Sequence, residues 1–358
     1  MGEARTDPVG EALLSVRDLA VSFANPGGPR VQAVDGVSFT VYPGQTLAVV
    51  GESGSGKSVS ALAVMGLLPS ARVDRGSAVL RCKDGGGVDL LRAGAAGLRA
   101  LRGDQVSMIF QEPMTSLNPV EQVGEQVVEA VRLHRRVTRA EAAAVAVGAM
   151  RDVGIREPER KFRQYPHEFS GGMRQRIMIA VALACRPRLL FADEPTTALD
   201  VTIQAQVLDL IGSLRREREL GVVLITHDLG VVAQHADVVC VMYGGRVVEY
   251  ARVGDVFAAP LHPYTRGLLA CIPRMDARRE RLATVREFVE RAGEFEAHGG
   301  GLVPWWPWRE GHLGPGYGLV EAAAGRWVGA FGCGEGGAPD IRYVRPARAG
   351  AAAGGAVR

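Results

Sequence analysis

A glycine-rich loop that follows an apolar strand constrains the fold of this chain most. The apolar segment Thr46–Val50 leads into the loop Gly51-Glu-Ser-Gly-Ser-Gly-Lys-Ser58, and the residues after it have the spacing of a buried helix that ends at Pro69. In such a strand-loop-helix unit, backbone N–H groups and the helix N-terminus enclose a phosphate. The full match disfavours an ordinary glycine turn. We therefore predict a parallel α/β core that binds a nucleoside triphosphate through Gly51, Ser53, Gly54, Ser55, Gly56, Lys57 and Ser58.

The last two residues of this loop carry the chemistry. Lysine is rare in the chain, which has only Lys57, Lys83 and Lys161, and Lys57 falls inside the loop where a planar guanidinium would not fit. We expect Lys57 to bridge the β- and γ-phosphates and Ser58 to ligate Mg²⁺.

Two adjacent acids end a second apolar strand. Leu189–Ala192 is followed by Asp193 and Glu194 and then by Pro-Thr-Thr-Ala-Leu-Asp200. Asp193 suits a water-mediated ligand of Mg²⁺, and Glu194 suits a base that orients the attacking water. An acidic turn without function is the alternative, but the residues that follow make the segment much more specific than an isolated acid pair.

Polar side chains also end two further strands. His227 follows Val222–Thr226, and we expect it to donate to the γ-phosphate and position the water. Gln111 follows Val106–Phe110 and is predicted to contact the metal and the attacking water. A lone histidine or glutamine at a strand end usually has no such role, so these predictions depend on the order of the strands in the core.

A second anion-binding turn lies between the loop and the acids. Ser170-Gly171-Gly172 opens a helix whose first N–H groups need an acceptor, and an ordinary serine cap is the alternative. The first glycine loop already supplies one phosphate site, and the chain has no internal repeat. The sequence therefore contains two phosphate-binding elements but one pair of catalytic carboxylates.

Together these motifs resemble the ATP-binding cassette (ABC) family over roughly residues 13–250, with every family motif in order. The resemblance implies a P-loop NTPase (RecA-like) α/β fold over 13–253, with a parallel core, an antiparallel β subdomain and a helical insertion at about 113–187. It also implies ATP and Mg²⁺ as ligands. Two cassettes pack head to tail in that family, so Ser170, Gly171 and Gly172 are expected to complete the partner's ATP site. Asp200 is then expected between the two sites, and Phe23 either stacks on adenine or belongs to the core.

A closer resemblance is to the ATPases of oligopeptide, dipeptide and nickel importers. It is carried by the segments Met108–Pro119, Tyr165–Glu168 and His262–Leu269. It implies peptides as the transported solute, with nickel or an opine-like compound as the alternative. The implied partners are a second, paralogous ATPase subunit, two permease subunits and a solute-binding protein, and the stretch Gln111–Pro119 is implied to receive the coupling helix of a permease. The implied location is peripheral, on the cytoplasmic face of a bacterial inner membrane.

The C-terminal part departs from that subfamily. Residues 254–345 form an atypical extension that contains all four tryptophans, Trp305, Trp306, Trp308 and Trp327. The subfamily's cysteine-rich pattern is reduced here to Cys271 and Cys333, so we predict no iron–sulfur cluster. Residues 346–358 are rich in Ala, Gly and Arg and are predicted to be disordered.

The amino-acid composition argues against some classes of binding partner. A net charge of +3 and a pI of about 8.7 disfavour nucleic-acid binding, and no apolar run approaches the 18 or so residues that a membrane span needs.

Two rival classes of function remain. A soluble cassette ATPase that acts on chromosomes or ribosomes usually carries a long coiled coil or a second cassette, and a small-molecule kinase has no use for the Ser-Gly-Gly turn.

Overall fold

The computed structural model describes residues 11–111, 117–197, 199–271, 295, 302–306, 317–331, 339–341 and 343. Its strands are β1 Leu14–Phe23, β2 Val31–Val41, β3 Thr46–Val50, β4 Ala71–Arg81, β5 Gly87–Asp89, β6 Val106–Ile109, β7 Leu189–Asp193, β8 Gly221–Ile225, β9 Val238–Tyr243, β10 Arg246–Arg252, β11 Val303–Pro304, β12 Tyr317–Ala323 and β13 Arg326–Phe331. Its helices are α1 Lys57–Val64, α2 Ala95–Leu101, α3 Val123–His134, α4 Arg139–Asp152, α5 Pro158–Lys161, α6 Gly171–Leu183, α7 Val201–Arg218, α8 Leu229–His235, α9 Val253–Ala258 and α10 Pro263–Ala270.

Parallel strands form the centre of the molecule. β6, β7, β8, β3 and β9 lie side by side in that order, and every neighbouring pair among them is parallel. Their residues are almost all buried, as expected for a sheet that helices cover on both faces. The predicted parallel α/β core is therefore confirmed. The carboxyl ends of β3, β6, β7 and β8 meet at one edge, which is where Gly51, Gln111, Glu194 and His227 follow them.

A second sheet is antiparallel. Its strand order is β2-β1-β4-β5, and its buried side chains pack with α1 in one apolar cluster. Val64 and Met65 from the helix side of this cluster meet Leu14, Phe39 and Leu80 from the sheet. This sheet is the antiparallel β subdomain of the predicted fold, and it supports the helix that begins at Lys57.

The helical insertion follows the strand β6. From α3 to α6 its apolar side chains form a separate cluster around Val127, Val131, Met150 and Ile177. The helix α4 begins at a capping box, in which Thr138 and Glu141 bond each other's backbone N–H groups. The insertion carries the Ser-Gly-Gly turn at the start of α6.

The C-terminal residues continue the central sheet. β10 pairs antiparallel with β9 and with β13, and β13 also pairs with β11 and β12. Further along, the buried Gln45 side chain donates to the carbonyls of Ile341 and Tyr343 at 3.0 and 2.9 Å. The extension predicted from residue 254 is thus joined to the cassette through one sheet. The predicted disordered tail 346–358 lies outside the described residues.

No helix in the described part of the chain combines the length and the apolar character that crossing a bilayer requires.

A buried ion pair joins α7 to the central sheet. Arg215 Nη1 donates to Asp237 Oδ2 at 2.5 Å, and the same carboxylate oxygen accepts the backbone N–H of Thr46 at 2.7 Å. Arg215 is 8% exposed and Asp237 1%. A buried pair of this kind adds little net stability while it is intact, because desolvation offsets the attraction, but it leaves an uncompensated charge when one partner is removed.

We predict that Asp237→Ala lowers the free energy of unfolding by about 3–5 kcal/mol, because Arg215 then stays charged and buried. Asp152→Ala is the control, since Asp152 pairs with Arg218 at 2.5 Å but its side chain is 44% exposed. That variant should lose only about 0.2–1 kcal/mol. Urea unfolding followed by circular dichroism measures both, and equal losses would contradict the prediction.

Candidate active site

A cleft opens at the edge where the parallel strands end. Three polar side chains from three different strand ends face the glycine loop across it. The lining residues are Ala33, Ser53, Gly54, Gly56, Lys57, Ser58, Val59, Gln111, Glu194 and His227. The structure thus brings together residues that lie up to about 190 positions apart in the sequence.

The glycine loop needs glycine at specific positions. Gly51 has φ +152°, and a Cβ there would lie 2.1 Å from the carbonyl oxygen of Met242. Gly56 has φ +95°, and a Cβ there would lie 2.7 Å from the carbonyl oxygen of Ala33. At both positions φ is positive, and a Cβ would collide with the backbone of another segment of the chain. Only glycine tolerates this combination. The loop is therefore held against the end of β9 on one side and against β2 on the other.

Lys57 lies at the centre of this loop. Its Nζ donates to the carbonyl oxygens of Gly51 and Glu52, both at 2.8 Å, and the residue is 7% exposed. Burial lowers the pKa of Lys57, and the carboxylates of Glu194 and Asp193 partly oppose that shift. An ammonium ion at the mouth of the loop can donate charge-assisted hydrogen bonds to a phosphate.

Ser58 and Asp193 form a pair beside Lys57. The Ser58 hydroxyl donates to Asp193 Oδ1 at 2.9 Å. Burial raises the pKa of Asp193, although the hydrogen bond from Ser58 acts in the opposite direction. A hydroxyl and a carboxylate are oxygen ligands of the type that Mg²⁺ prefers, and they lie next to the phosphate loop. The donor set fits the predicted metal.

Glu194 is held by three neighbouring side chains. Its Oε1 is 3.0 Å from His227 Nδ1, and its Oε2 accepts from Gln111 Nε2 at 3.1 Å and from the Thr197 hydroxyl at 2.9 Å. Burial raises its pKa, but the hydrogen bonds from His227 and Thr197, together with the charge of Lys57, outweigh burial, so the pKa of Glu194 is lowered overall. The backbone of Glu194 is left-handed, with φ 45°, which is uncommon outside glycine. The carboxylate is therefore ionised and fixed in direction.

The other predicted binding residues do not line this cleft. Ser170 is exposed at the start of α6, and its side chain makes no capping hydrogen bond. An ordinary serine cap is therefore not the arrangement here. Asp200 instead caps α7 by accepting the N–H of Ile203 at 2.9 Å, and a Cβ on Gly172 would lie 2.5 Å from the Ile203 side chain.

Gly171 was predicted to bind the partner's ATP together with Ser170 and Gly172. The three residues lie in one exposed or half-exposed turn. Phe23 ends β1 and is half-buried, and it does not line the described cleft either. Its contact with adenine stays a prediction. The segment predicted to receive a permease, 111–119, lies partly outside the described residues.

Two residues that support this site were not predicted from the sequence. Thr197 bonds Glu194 from three positions downstream, and Gln175 in α6 donates to the carbonyl of Pro195 at 2.5 Å while only 1% exposed. The Gln175 bond links the helix of the Ser-Gly-Gly turn directly to the turn after Glu194. A hydroxyl three residues after an acid could have indicated the role of Thr197. Nothing in the sequence indicated the role of Gln175.

Comparison with protein families gives two matches. The family model described as "ABC transporter" matches residues 34–197, and the model described as "Oligopeptide/dipeptide transporter, C-terminal region" matches residues 248–300. The first match contains the loop, Gln111, Ser170 and Glu194. The second contains the His262–Leu269 segment.

Curated relatives are similar over most of their length. The chain is 52% identical to the dipeptide transport ATP-binding protein DppD of Bacillus subtilis over 268 residues, which cover 74% of this chain and 78% of the relative. It is 51% identical to the oligopeptide transport ATP-binding protein OppD of Salmonella typhimurium, over 76% of this chain and 80% of that protein.

Solved structures show the same fold. The ATP-binding cassette MJ0796, in a dimeric post-hydrolysis state with ADP and Pi, matches with a TM-score of 0.58 at 23% identity, covering 67% of this chain and 98% of that one. The cassette cbiO1 of Clostridium perfringens, part of the transporter complex cbiONQ, matches with a TM-score of 0.58 at 26% identity, covering 70% and 92%.

We predict that Thr197→Val slows ATP hydrolysis roughly tenfold, because one hydrogen bond to a charged group is lost from Glu194. That bond lowers the pKa of Glu194, so the acid limb of the rate profile should also move to higher pH. Thr40→Val is the control, since its hydroxyl bonds the carbonyl of Pro339 far from the cleft. An unchanged pH profile in Thr197→Val would contradict the assignment.

Proposed function

The chain belongs to the ABC transporter family, among the oligopeptide and dipeptide transport ATP-binding proteins, and from this we propose that it hydrolyses ATP to energise the import of peptides. The observation that carries the proposal is the position of the Glu194 carboxylate, which His227, Gln111 and Thr197 hold opposite the phosphate loop. DppD and OppD are named for dipeptide and oligopeptide transport, and this supports peptides as the solute. ATP hydrolysis is the family's common activity.

The residues of the cleft have distinct roles in this proposal. The loop N–H groups and Lys57 bind the β- and γ-phosphates, and Glu194 accepts a hydrogen bond from the attacking water and then its proton. His227 orients Glu194 and donates to the γ-phosphate, and Gln111 positions the water. Ser58, Gln111 and, through water, Asp193 would hold Mg²⁺, which supplies neutralising charge on the phosphate oxygens when it is bound.

We assign the Ser-Gly-Gly turn to a second chain's ATP. Ser170 is exposed and leaves the first turn of α6 without a side-chain cap, so those N–H groups can face an anion from outside the chain. Val201, which follows Asp200, is 83% exposed, as expected for a surface that a second cassette covers. The partner in this proposal is a second ATPase subunit, a paralogue of this chain.

An apolar groove beside the cleft is suited to a permease. Phe110, Leu117, Leu133, Met178 and Cys185 contribute to its walls between β6 and the helical insertion. Phe110 is 43% exposed and Leu133 72%, which is unusual for large apolar side chains on a free surface. We propose that one of the two permease subunits docks here and places the ATPase at the cytoplasmic face of the inner membrane, with a solute-binding protein opposite.

We predict that Glu194→Gln reduces ATP turnover by at least about a hundredfold while ATP still binds, because the amide keeps the shape of the side chain but cannot take a proton. The variant should also accumulate as a closed, ATP-bound dimer. Glu321→Gln, an exposed change in β12, is the control. Phosphate release and filter binding measure turnover and affinity, and a normal rate in Glu194→Gln would refute the assignment.

We predict that Ser170→Arg spares ATP binding at this chain's own Lys57 but damages the site on the partner ATPase. Labelling of each subunit by photoactivated azido-ATP separates the two sites. Ala144→Arg adds the same charge to an exposed position of α4 and serves as the control. Loss of labelling in this chain with normal labelling of the partner would reject the shared site.

A further inference from the structure

Two consecutive tryptophans of the C-terminal extension contact the residues that flank a turn, and this turn supports the phosphate loop. The turn joins β9 to β10 through Gly244 and Gly245, and Trp306 and Trp305 contact the residues on its two sides. Trp305 is 6% exposed and Trp306 1%. The residues from 301 onward also lie beyond both family matches. This packing joins an atypical segment to the nucleotide site.

The first connection runs from Trp306 to the phosphate loop. Trp306 meets Tyr243 edge to face, with ring centres 5.9 Å apart, and Tyr243 packs on Tyr264 at 4.4 Å. The Tyr264 hydroxyl then accepts the backbone N–H of Glu52 at 3.0 Å. Glu52 is the second residue of the loop, and its carbonyl accepts from Lys57 at 2.8 Å. One residue of the loop is thus held from one side by Tyr264 and from the other by the phosphate-binding lysine.

His262 fixes the helix that carries Tyr264. Its Nδ1 accepts the N–H of Tyr264 at 3.1 Å, and its Nε2 lies 3.3 Å from the carbonyl of Trp305. Both contacts form at once only when the ring is neutral with its proton on Nε2. Glu249 in turn accepts the N–H of His262 at 2.9 Å. The imidazole therefore links the start of α10 to the tryptophan segment.

The second connection runs from Trp305. The Arg246 guanidinium lies over the rings of Trp305 and Tyr317, at 4.9 and 4.6 Å from their centres, and it also donates to Asp35 at 2.5 Å. Next to it in the chain, the N–H of Gly245 donates to the carbonyl of Ser55 in the phosphate loop at 3.2 Å. The loop is therefore supported at Glu52 by Tyr264 and at Ser55 by Gly245. Tyr264 packs on Tyr243, which Trp306 contacts, and Gly245 precedes Arg246, which Trp305 contacts.

We infer that the Trp305–Trp306 segment and Tyr264 are positioning residues for the phosphate loop, and that they set its affinity for ATP. The inference rests on the proposed ATPase function and adds to it a role for the C-terminal extension. The loop binds phosphate through backbone N–H groups, whose direction decides the strength of each hydrogen bond. Tyr264 does not touch the γ-phosphate chemistry at Glu194, so it should act on binding and not on the chemical step.

The test compares two conservative variants of the full-length chain. Tyr264→Phe removes only the hydroxyl that accepts from Glu52. Tyr250→Phe is matched to it, because Tyr250 is also fully buried and donates to the carbonyl of Thr40 at 3.0 Å, away from the loop. We expect Tyr264→Phe to raise the Kd for ATP and the KM about three- to tenfold with kcat unchanged, whereas Tyr250→Phe changes neither. Thermal unfolding should show similar losses of stability for both.

Tryptophan fluorescence gives a second readout. All four tryptophans lie between residues 305 and 327, so the emission of the chain reports on the C-terminal extension alone. We expect ATP to change this emission in the natural chain and to change it less in Tyr264→Phe at saturating ATP. Trp306→Leu should raise the Kd for ATP as Tyr264→Phe does.

The outcomes separate the inference from the proposed function. If ATP binds and is hydrolysed but Tyr264→Phe has the same Kd as Tyr250→Phe, the positioning role is wrong and the ATPase assignment stands. If ATP leaves the tryptophan emission of the natural chain unchanged, the connection to the extension is also rejected. If the natural chain neither binds nor hydrolyses ATP, the proposed function itself fails.

Discussion

Parallel pairing of β6, β7, β8 and β3 is the constraint on which the site depends. In a parallel sheet every strand delivers the residues just after it to the same edge, and here those residues include Gln111, Glu194, His227 and Gly51. No local feature of the chain could bring them together, because each comes from a different segment. The antiparallel sheet adds Ala33 of β2 to the lining of the cleft at this edge.

Most of the cleft could be predicted from the sequence, because the cleft residues lie in the glycine loop or just after strands of the parallel core. A glycine loop after a strand, or an acid pair after a strand, has the same place in any parallel core, and the structure places Lys57, Ser58 and Asp193 accordingly. Thr197 and Gln175 were missed for a physical reason. Their roles depend on side-chain direction across a turn, and strand patterns and spacing do not specify that direction.

The C-terminal extension could not be predicted for a different reason. Its tryptophans follow no period and belong to no pattern that the cassette motifs provide, so the sequence left their role open. In the structure they become interpretable through partners far away in sequence, since Trp305 packs on Arg246 and Trp306 on Tyr243. Large aromatic side chains gain most from burial, so a segment that buries two of them is held firmly to its support. That support is the turn beneath the phosphate loop.

The two phosphate-binding elements differ in what they can contribute alone. The loop around Lys57 is a complete cradle within one chain, whereas the turn at Ser170 is exposed and lies outside the cleft. In the proposed two-chain site, the loop contacts form in both the open and the closed dimer and so cannot favour closure. Only contacts made from the Ser170 turn of the second chain exist in the closed state alone. ATP shifts the equilibrium by that difference in affinity, so in this proposal the Ser170 turn, and not the loop, converts ATP binding into movement of the permease.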